Sequence, residues 1–342
     1  MTSSDDHSLN MMPRPRFSER IETVSLHLPP GKSLGWVLSV TCSANGDMFI
    51  LHQRDRTYYE SDLPSVVHCN ADGEFIDAWG GPAGAPSVEG VNQWPAGCEG
   101  IECDPEGNIW IFGWLAGDDA VLKYSPKGKL LARFGQRGRS GDDRDTRFLG
   151  CPTSCHLDVA SREVFFSDGY TNHRVIAFNA DTGEFTRMWG AYGKMPWELS
   201  PEEGFGTPVH KVAVGPDGHM YVCDRIKNRI QEFQLKPGGA RFLREVVIAP
   251  GTIMCGSAFD IGFTPDGKFI YVGDGTNNRI WILDRESLRV LGWNNVDPTF
   301  EGDGNQAAMF GAFHRFFVQP SGDILLACVA RGLRRMRFNG VR

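Results

Sequence analysis

One unit recurs along the chain, and its period restricts the fold more than any other feature. The stretches "GNIWIFGWLAGDDAVLKYSPKGKLLARFG" from Gly107, "VFFSDGYTNHRVIAF" from Val164, "GHMYVCDRIKNRIQEFQ" from Gly218, "GKFIYVGDGTNNRIWILDRESLRVLGW" from Gly267 and "GDILLACVARGLRRMRF" from Gly322 read alike, and a looser copy starts at Gly46. Each has an apolar strand, a short polar tip and a second strand, the pattern of a hairpin. Most continue through a Gly turn into a third strand ending near Trp-Gly or Phe-Gly. Another short strand precedes each turn. The residues that open the turns are Ser43, Asp104, Asp158, Gly215, Thr264 and Gln319, at spacings of 61, 54, 57, 49 and 55. Four strands at such a period predict propeller blades. The expected fold is all-β, a six-bladed β-propeller over residues 17–342, with residues 1–16 as a mobile tail. The sixth unit has three strands before Arg342, and Arg20–Leu28, "RIETVSLHL", is the spare strand expected to complete it and close the ring.

Bulk properties narrow the function classes. Gly at 41 and Pro at 20 suit a turn-rich β protein. Net charge is −7, and the basic stretch Arg331–Arg337 alternates like a strand, so no nucleic-acid partner is expected. No apolar run approaches the ~18 residues of a membrane span, and the N-terminus shows no apolar signal core. The nine cysteines are scattered without CxxC spacing, the usage of a reduced, cytoplasmic protein.

First strands of propeller blades line the central channel. Five residues before each turn-opening residue stand Leu38, Glu99, Thr153, His210, Phe259 and His314. The even blades offer Glu99, His210 and His314, three potential ligands aimed at one axis. Zinc catalytic sites use such three-residue sets, and iron sites use two His and a carboxylate. Solvated channel residues are the plain alternative. The hairpin tips gather at one mouth of the channel and carry Arg54, Trp114, Tyr170, Arg225, Thr276 and Arg331. A tyrosine and arginines near a metal would hold an anionic substrate and move a proton. Arg174, Arg229 and Arg279 repeat in an [Asn/Lys]-x-Arg-[Val/Ile] pattern and are expected to be surface charges between blades.

The repeats "DGYTNHRVIAF", "CDRIKNRIQEF" and "GDGTNNRIWIL" resemble NHL repeats. The nearer likeness is to the peptidyl-α-hydroxyglycine α-amidating lyases, six-bladed propellers with a channel zinc, and it runs from about residue 35 to the end. The resemblance implies zinc ligands at His210 in "PVHKVAV" and His314 in "AFHRFFV". The family's third histidine falls on Glu99 in "GCEGIEC", a departure. It also implies a catalytic tyrosine at Tyr170 and substrate arginines at Arg225 and Arg54, with the phenolate of Tyr170 favoured by those charges and abstracting a hydroxyl proton. Trp114 and Arg331 are further substrate-binding candidates. The family's structural calcium uses an Asp directly after the third His. Here that residue is Arg315, which argues against calcium. Ala312 stands where the family has a methionine, Thr171 replaces the disulfide cysteine after the tyrosine, and no copper monooxygenase segment is read.

The expected function is that of a metal-dependent, lyase-like enzyme acting on a small oxygenated, carboxylated molecule. Zinc is the first choice of metal, with iron or another divalent ion as alternatives. A lactonase-like hydrolase could use the same parts with metal-bound water. A non-catalytic NHL scaffold predicts no metal and an unimportant Tyr170. Fold does not decide among these.

Overall fold

The second strand of each unit is buried on both faces, as in Ile109–Gly113, Glu163–Asp168 and Phe269–Asp274. Such strands must be sandwiched between sheets. The computed structural model, which describes residues 12–53, 61–296 and 313–342, provides this arrangement. Six four-stranded antiparallel sheets form the blades of a six-bladed β-propeller. Their inner strands begin at Trp36, Cys98, Pro152, Val209, Asp260 and Arg315. Each meets the next, and the last packs against the first.

Apolar clusters fill the gaps between neighbouring blades. Trp110 and Phe112 of the second blade, for example, interlock with Cys155, Phe166 and Phe178 of the third. The turn register read from sequence is seen directly. The carbonyls of Ser43, Asp104, Gly215, Thr264 and Gln319 each accept a hydrogen bond from the glycine three residues on. Glu22–Thr23 pairs with Arg334 and Arg335, so an N-terminal strand completes the sixth blade. Pro15–Phe17 also forms a strand, against Phe338–Val341. The boundary expected between tail and domain therefore falls inside a paired strand.

The repeated arginines differ from expectation. Arg174 is fully buried, and Arg229 is nearly so. Each gives its Nε–H to the aspartate that ends the preceding strand, Asp168 or Asp224, at 2.8 Å. The remaining guanidinium donors of Arg174 reach the carbonyls of Asp145 and Phe148. The hairpin needs a cation at this corner because it buries the carboxylate there. Arg279 is half-buried over the rings of Trp281 and Trp293.

Candidate functional site

Local sequence explains how Tyr170 reaches the channel. Asp168 accepts hydrogen bonds from the Gly150 amide, the Asn172 side chain and Arg174, which fixes the hairpin end. Gly169 then lies so close to the fourth blade that a Cβ would stand 2.0 Å from the Val209 carbonyl. Only glycine permits this approach. It places the Tyr170 ring 6.3 Å from that of His210, on the next residue of that strand. The Asp-Gly-Tyr tip is thus a corner, a close contact and an inward-facing phenol in succession.

Glu99, His210 and His314 converge. Their ligand atoms all lie within 4.8 Å of one another. Glu99 Oε1 is 2.9 Å from His210 Nε2 and 3.1 Å from His314 Nε2. His210 Nδ1 meets the Phe259 carbonyl at 2.5 Å, and His314 Nδ1 meets the Leu38 carbonyl at 3.1 Å. A carbonyl can only accept, so each Nδ1 carries a proton, and each ring turns its Nε2 toward Glu99. Burial, then the charges of Arg315 and Arg225, push His210 well below the ordinary imidazole range. Its ring is neutral, and its buried Nε2 has no hydrogen-bond partner. Burial alone would raise the Glu99 carboxyl, but His314 and His210 more than reverse this, and it stays ionised.

Three potential ligand atoms therefore converge. The residues fit a divalent cation of the zinc or iron type, with backbone carbonyls orienting both imidazoles from behind. Around the channel, Glu99, Glu102 and Asp260 are met by Lys211 and Arg315.

Arg315 is the residue that sequence reasoning undervalued. It is buried, and its Nη2 reaches Glu99 Oε1 at 3.1 Å, the Thr153 carbonyl at 3.0 Å and the His210 carbonyl at 3.3 Å. A cation thus occupies the position after His314. An arginine opening an inner strand was the available signal.

Above the three ligands lies a cavity of about 150 Å³. Glu99, Tyr170, Arg225 and His314 are its ionisable lining groups apart from Cys98 and Cys255, while Leu38, Trp114 and Phe259 belong to its apolar wall. Tyr170 donates to Glu99 Oε2 at 3.2 Å and accepts from Arg225 Nη1 at 3.5 Å. The Trp114 and Tyr170 rings are 6.4 Å apart. The Arg225 guanidinium lies 4.8 Å over the Phe259 ring, its Nε is buried without an acceptor, and no carboxylate among the described residues pairs with it.

Burial, then the Glu99 charge, raise the Tyr170 phenol above its ordinary range against the opposing pull of Arg225 and Arg315. The chain's own groups therefore favour the neutral phenol, whereas the expected phenolate relied on a divalent ion as well as the arginines. Trp114 and Arg225 stand with the three ligands. Arg331 does not: it is exposed after Cys328 and absent from the cavity lining, to which Val329 contributes. Arg54 lies outside the described residues. Phe259, the platform under Arg225, was missed because an aromatic on an odd blade reads as core.

No family model matches the chain. Human NHL repeat-containing protein 3 is 25% identical over 267 residues, covering 76% of this chain and 67% of that protein. The mouse peptidyl-glycine alpha-amidating monooxygenase is 30% identical over 150 residues, 43% of this chain but 14% of that enzyme. Peptidyl-alpha-hydroxyglycine alpha-amidating lyase 1 of Drosophila melanogaster is 23% identical over 218 residues, 58% of this chain and 38% of the fly protein. The chain thus spans a minor part of the amidating enzymes it matches. Virginiamycin B lyase from Staphylococcus aureus superposes with a TM-score of 0.54 at 12% identity over 96% of this chain and 89% of that one, a likeness of fold alone. The chain is a six-bladed β-propeller with NHL-repeat homologues, amidating lyases among them, at low identity.

Proposed function

We propose that this protein is a metal-assisted lyase acting on a small hydroxylated carboxylate. One observation carries the reading: two imidazoles whose Nδ1–H groups are committed to carbonyls turn their Nε2 atoms onto Glu99, beside a phenol and an arginine with no carboxylate partner among the described residues. A divalent ion held by Glu99, His210 and His314 would supply Lewis-acid polarisation of a substrate oxygen and would cancel the Glu99 charge. Arg225 binds the carboxylate, with Phe259 holding its guanidinium plane. Trp114, Leu38 and Phe259 keep water from the reacting carbon.

Tyr170 handles the proton at its phenolic oxygen, which lies between Glu99 and Arg225. As a phenolate it takes the substrate hydroxyl proton. The hydroxyl carbon becomes a carbonyl as its own bond to an electronegative substituent breaks, the electron pair leaves with that substituent, and Tyr170 returns the proton to it. After burial, Glu99 is the chief cause that keeps the phenol neutral, so the step depends on compensation of that carboxylate.

The test is metal analysis of protein purified without chelator or nickel column, together with a turnover screen of α-hydroxy acids. Near-stoichiometric zinc or iron, lost in His210→Ala along with turnover, supports the lyase. Equal background metal in both proteins removes it. One observation favours a second reading, a metal-free binding scaffold: the Arg315 guanidinium already meets the Glu99 oxygen.

A further inference from the structure

We propose that the ligand of this cavity is amphiphilic, with its carboxylate at Arg225 and an apolar chain that leaves the mouth across Ile226, Ile253 and Met254. The proposal rests on the carboxylate reading of Arg225 above and adds the class of the remaining part of the ligand. The first argument is size. A cavity near 150 Å³ holds a body about as large as benzene. A longer ligand must emerge, and what it meets at the rim decides its chemistry.

The chain beside two of the lining residues is apolar and exposed, and it is held in place. Ile253 and Met254 are 77% and 71% exposed, far above the other large apolar side chains among the described residues. They sit directly before Cys255, which lines the cavity, and Ile226, also exposed, directly follows Arg225. The loop is braced at both feet. Asn228 and Asn277 donate to the carbonyl and hydroxyl oxygens of Thr252, each at 2.8 Å. On the other side Thr276 donates to the Gly256 carbonyl at 2.6 Å, and the Ser257 amide donates to the Arg225 carbonyl at 3.2 Å. Gly256 approaches so closely that a Cβ would lie 1.8 Å from that carbonyl. Met254 is kept at φ 64°, a left-handed conformation that a methionine does not choose unaided.

A loop fixed by this many contacts that spends them on displaying two apolar side chains is shaped for contact. Continuity through Arg225 and Cys255 makes the occupant the cavity's own ligand. Among the described residues, exposed Ile226, Ile253 and Met254 stand beside the lining residues Arg225 and Cys255, which matches a carboxylate head with an alkyl or aryl extension.

The experiment is calorimetric titration of the purified full chain with lactate, α-hydroxyhexanoate and α-hydroxydecanoate. Affinity should rise roughly threefold per methylene that reaches the rim, or ~10-fold and more between the two longer acids. Ile253→Ser/Met254→Ser, checked for an unchanged melting curve, should flatten this dependence while lactate binds as it does to wild type. Equal affinity along the series overturns the proposal, as does a chain-length dependence that survives in the double variant. So does a wild-type oligomer that the double variant converts to monomers, because the patch then belongs to a second copy. Failure of all three acids to bind overturns the Arg225 reading together with this one. Loss of only the chain-length dependence leaves that reading standing.

Discussion

Arg174 and Arg225 project from hairpins of neighbouring blades, and their surroundings could hardly differ more. Arg174 has no exposed surface and gives its donors to Asp168, Asp145 and Phe148. Arg225 lines a cavity, reaches Tyr170 at 3.5 Å and has a buried Nε with no acceptor. One charge is consumed by the architecture and the other is left over. The blade corner repeats in the third and fourth blades because each of those hairpins must neutralise the aspartate it buries. The cavity arginine stands on the residue directly after Asp224, where the blade requires nothing of it. A residue whose hydrogen-bonding capacity the fold does not use is available to a ligand.

Four substitutions would break or sharpen this contrast. Tyr170→Phe removes one oxygen from the cavity and leaves the corner intact. Turnover of a substrate found by the screen should fall ~10²- to 10⁴-fold with metal content unchanged. Full activity in the metal-loaded variant would remove the phenol from proton transfer. Arg174→Met strands Asp168 in the interior and should cost about 3–5 kcal/mol in urea denaturation. A loss below about 1 kcal/mol would mean that the corner is not a structural knot.

Arg225→Met is the counterpart in the cavity. Stability should hold or improve slightly, while carboxylate binding, followed by titration, weakens by about 1.5–3 kcal/mol. Unchanged affinity would show that Arg225 is surplus to the ligand as well.

The smallest effect concerns a corner acid without an arginine. Asp119 accepts from Ser140 through Oδ1, and its Oδ2 is buried without a partner. Burial raises its pKa from 3.8 to about 6. A folded-state pKa above the unfolded one adds stability that is complete below about pH 4 and disappears as pH rises through 6. Asp119→Asn should therefore gain roughly 1–2 kcal/mol over wild type at pH 7.5 and flatten the pH dependence of unfolding between pH 4 and 7. Parallel curves for the two proteins would show that the carboxyl is solvated.

The sequence carried the periodic parts of this structure well. Ser43, Asp104 and their equivalents mark turns through a local hydrogen bond, so their spacing alone is enough to count blades. The channel positions follow from the same register, which is why Glu99, His210 and His314 could be named before their distances were known. What the register cannot carry is the environment created between blades. Tyr170 touches a carboxylate 71 residues away, and burial followed by that charge raises its pKa. Arg315 reaches Glu99 across 216 residues, and no local pattern announces it. Arg174 looked like a surface charge because the carbonyls it satisfies belong to the connection from the previous blade. The rim at Ile253 and Met254 lies in an irregular loop that no repeat predicts.

The sixth blade has a consequence for how the molecule is made. Its outer strand leaves the ribosome long before the strand it joins. Thr23 waits for Arg334, 311 residues later. At roughly 5–20 residues per second this is a delay of tens of seconds on the ribosome. Through that interval the first blade has no neighbour on one side, and the apolar surface of Val37, Val40 and Ile50 that Leu325 and Leu333 will cover stays open. Five blades can stack in the order they emerge, but the ring is sealed in a single late event. The time between is when the nascent chain is most in need of a chaperone.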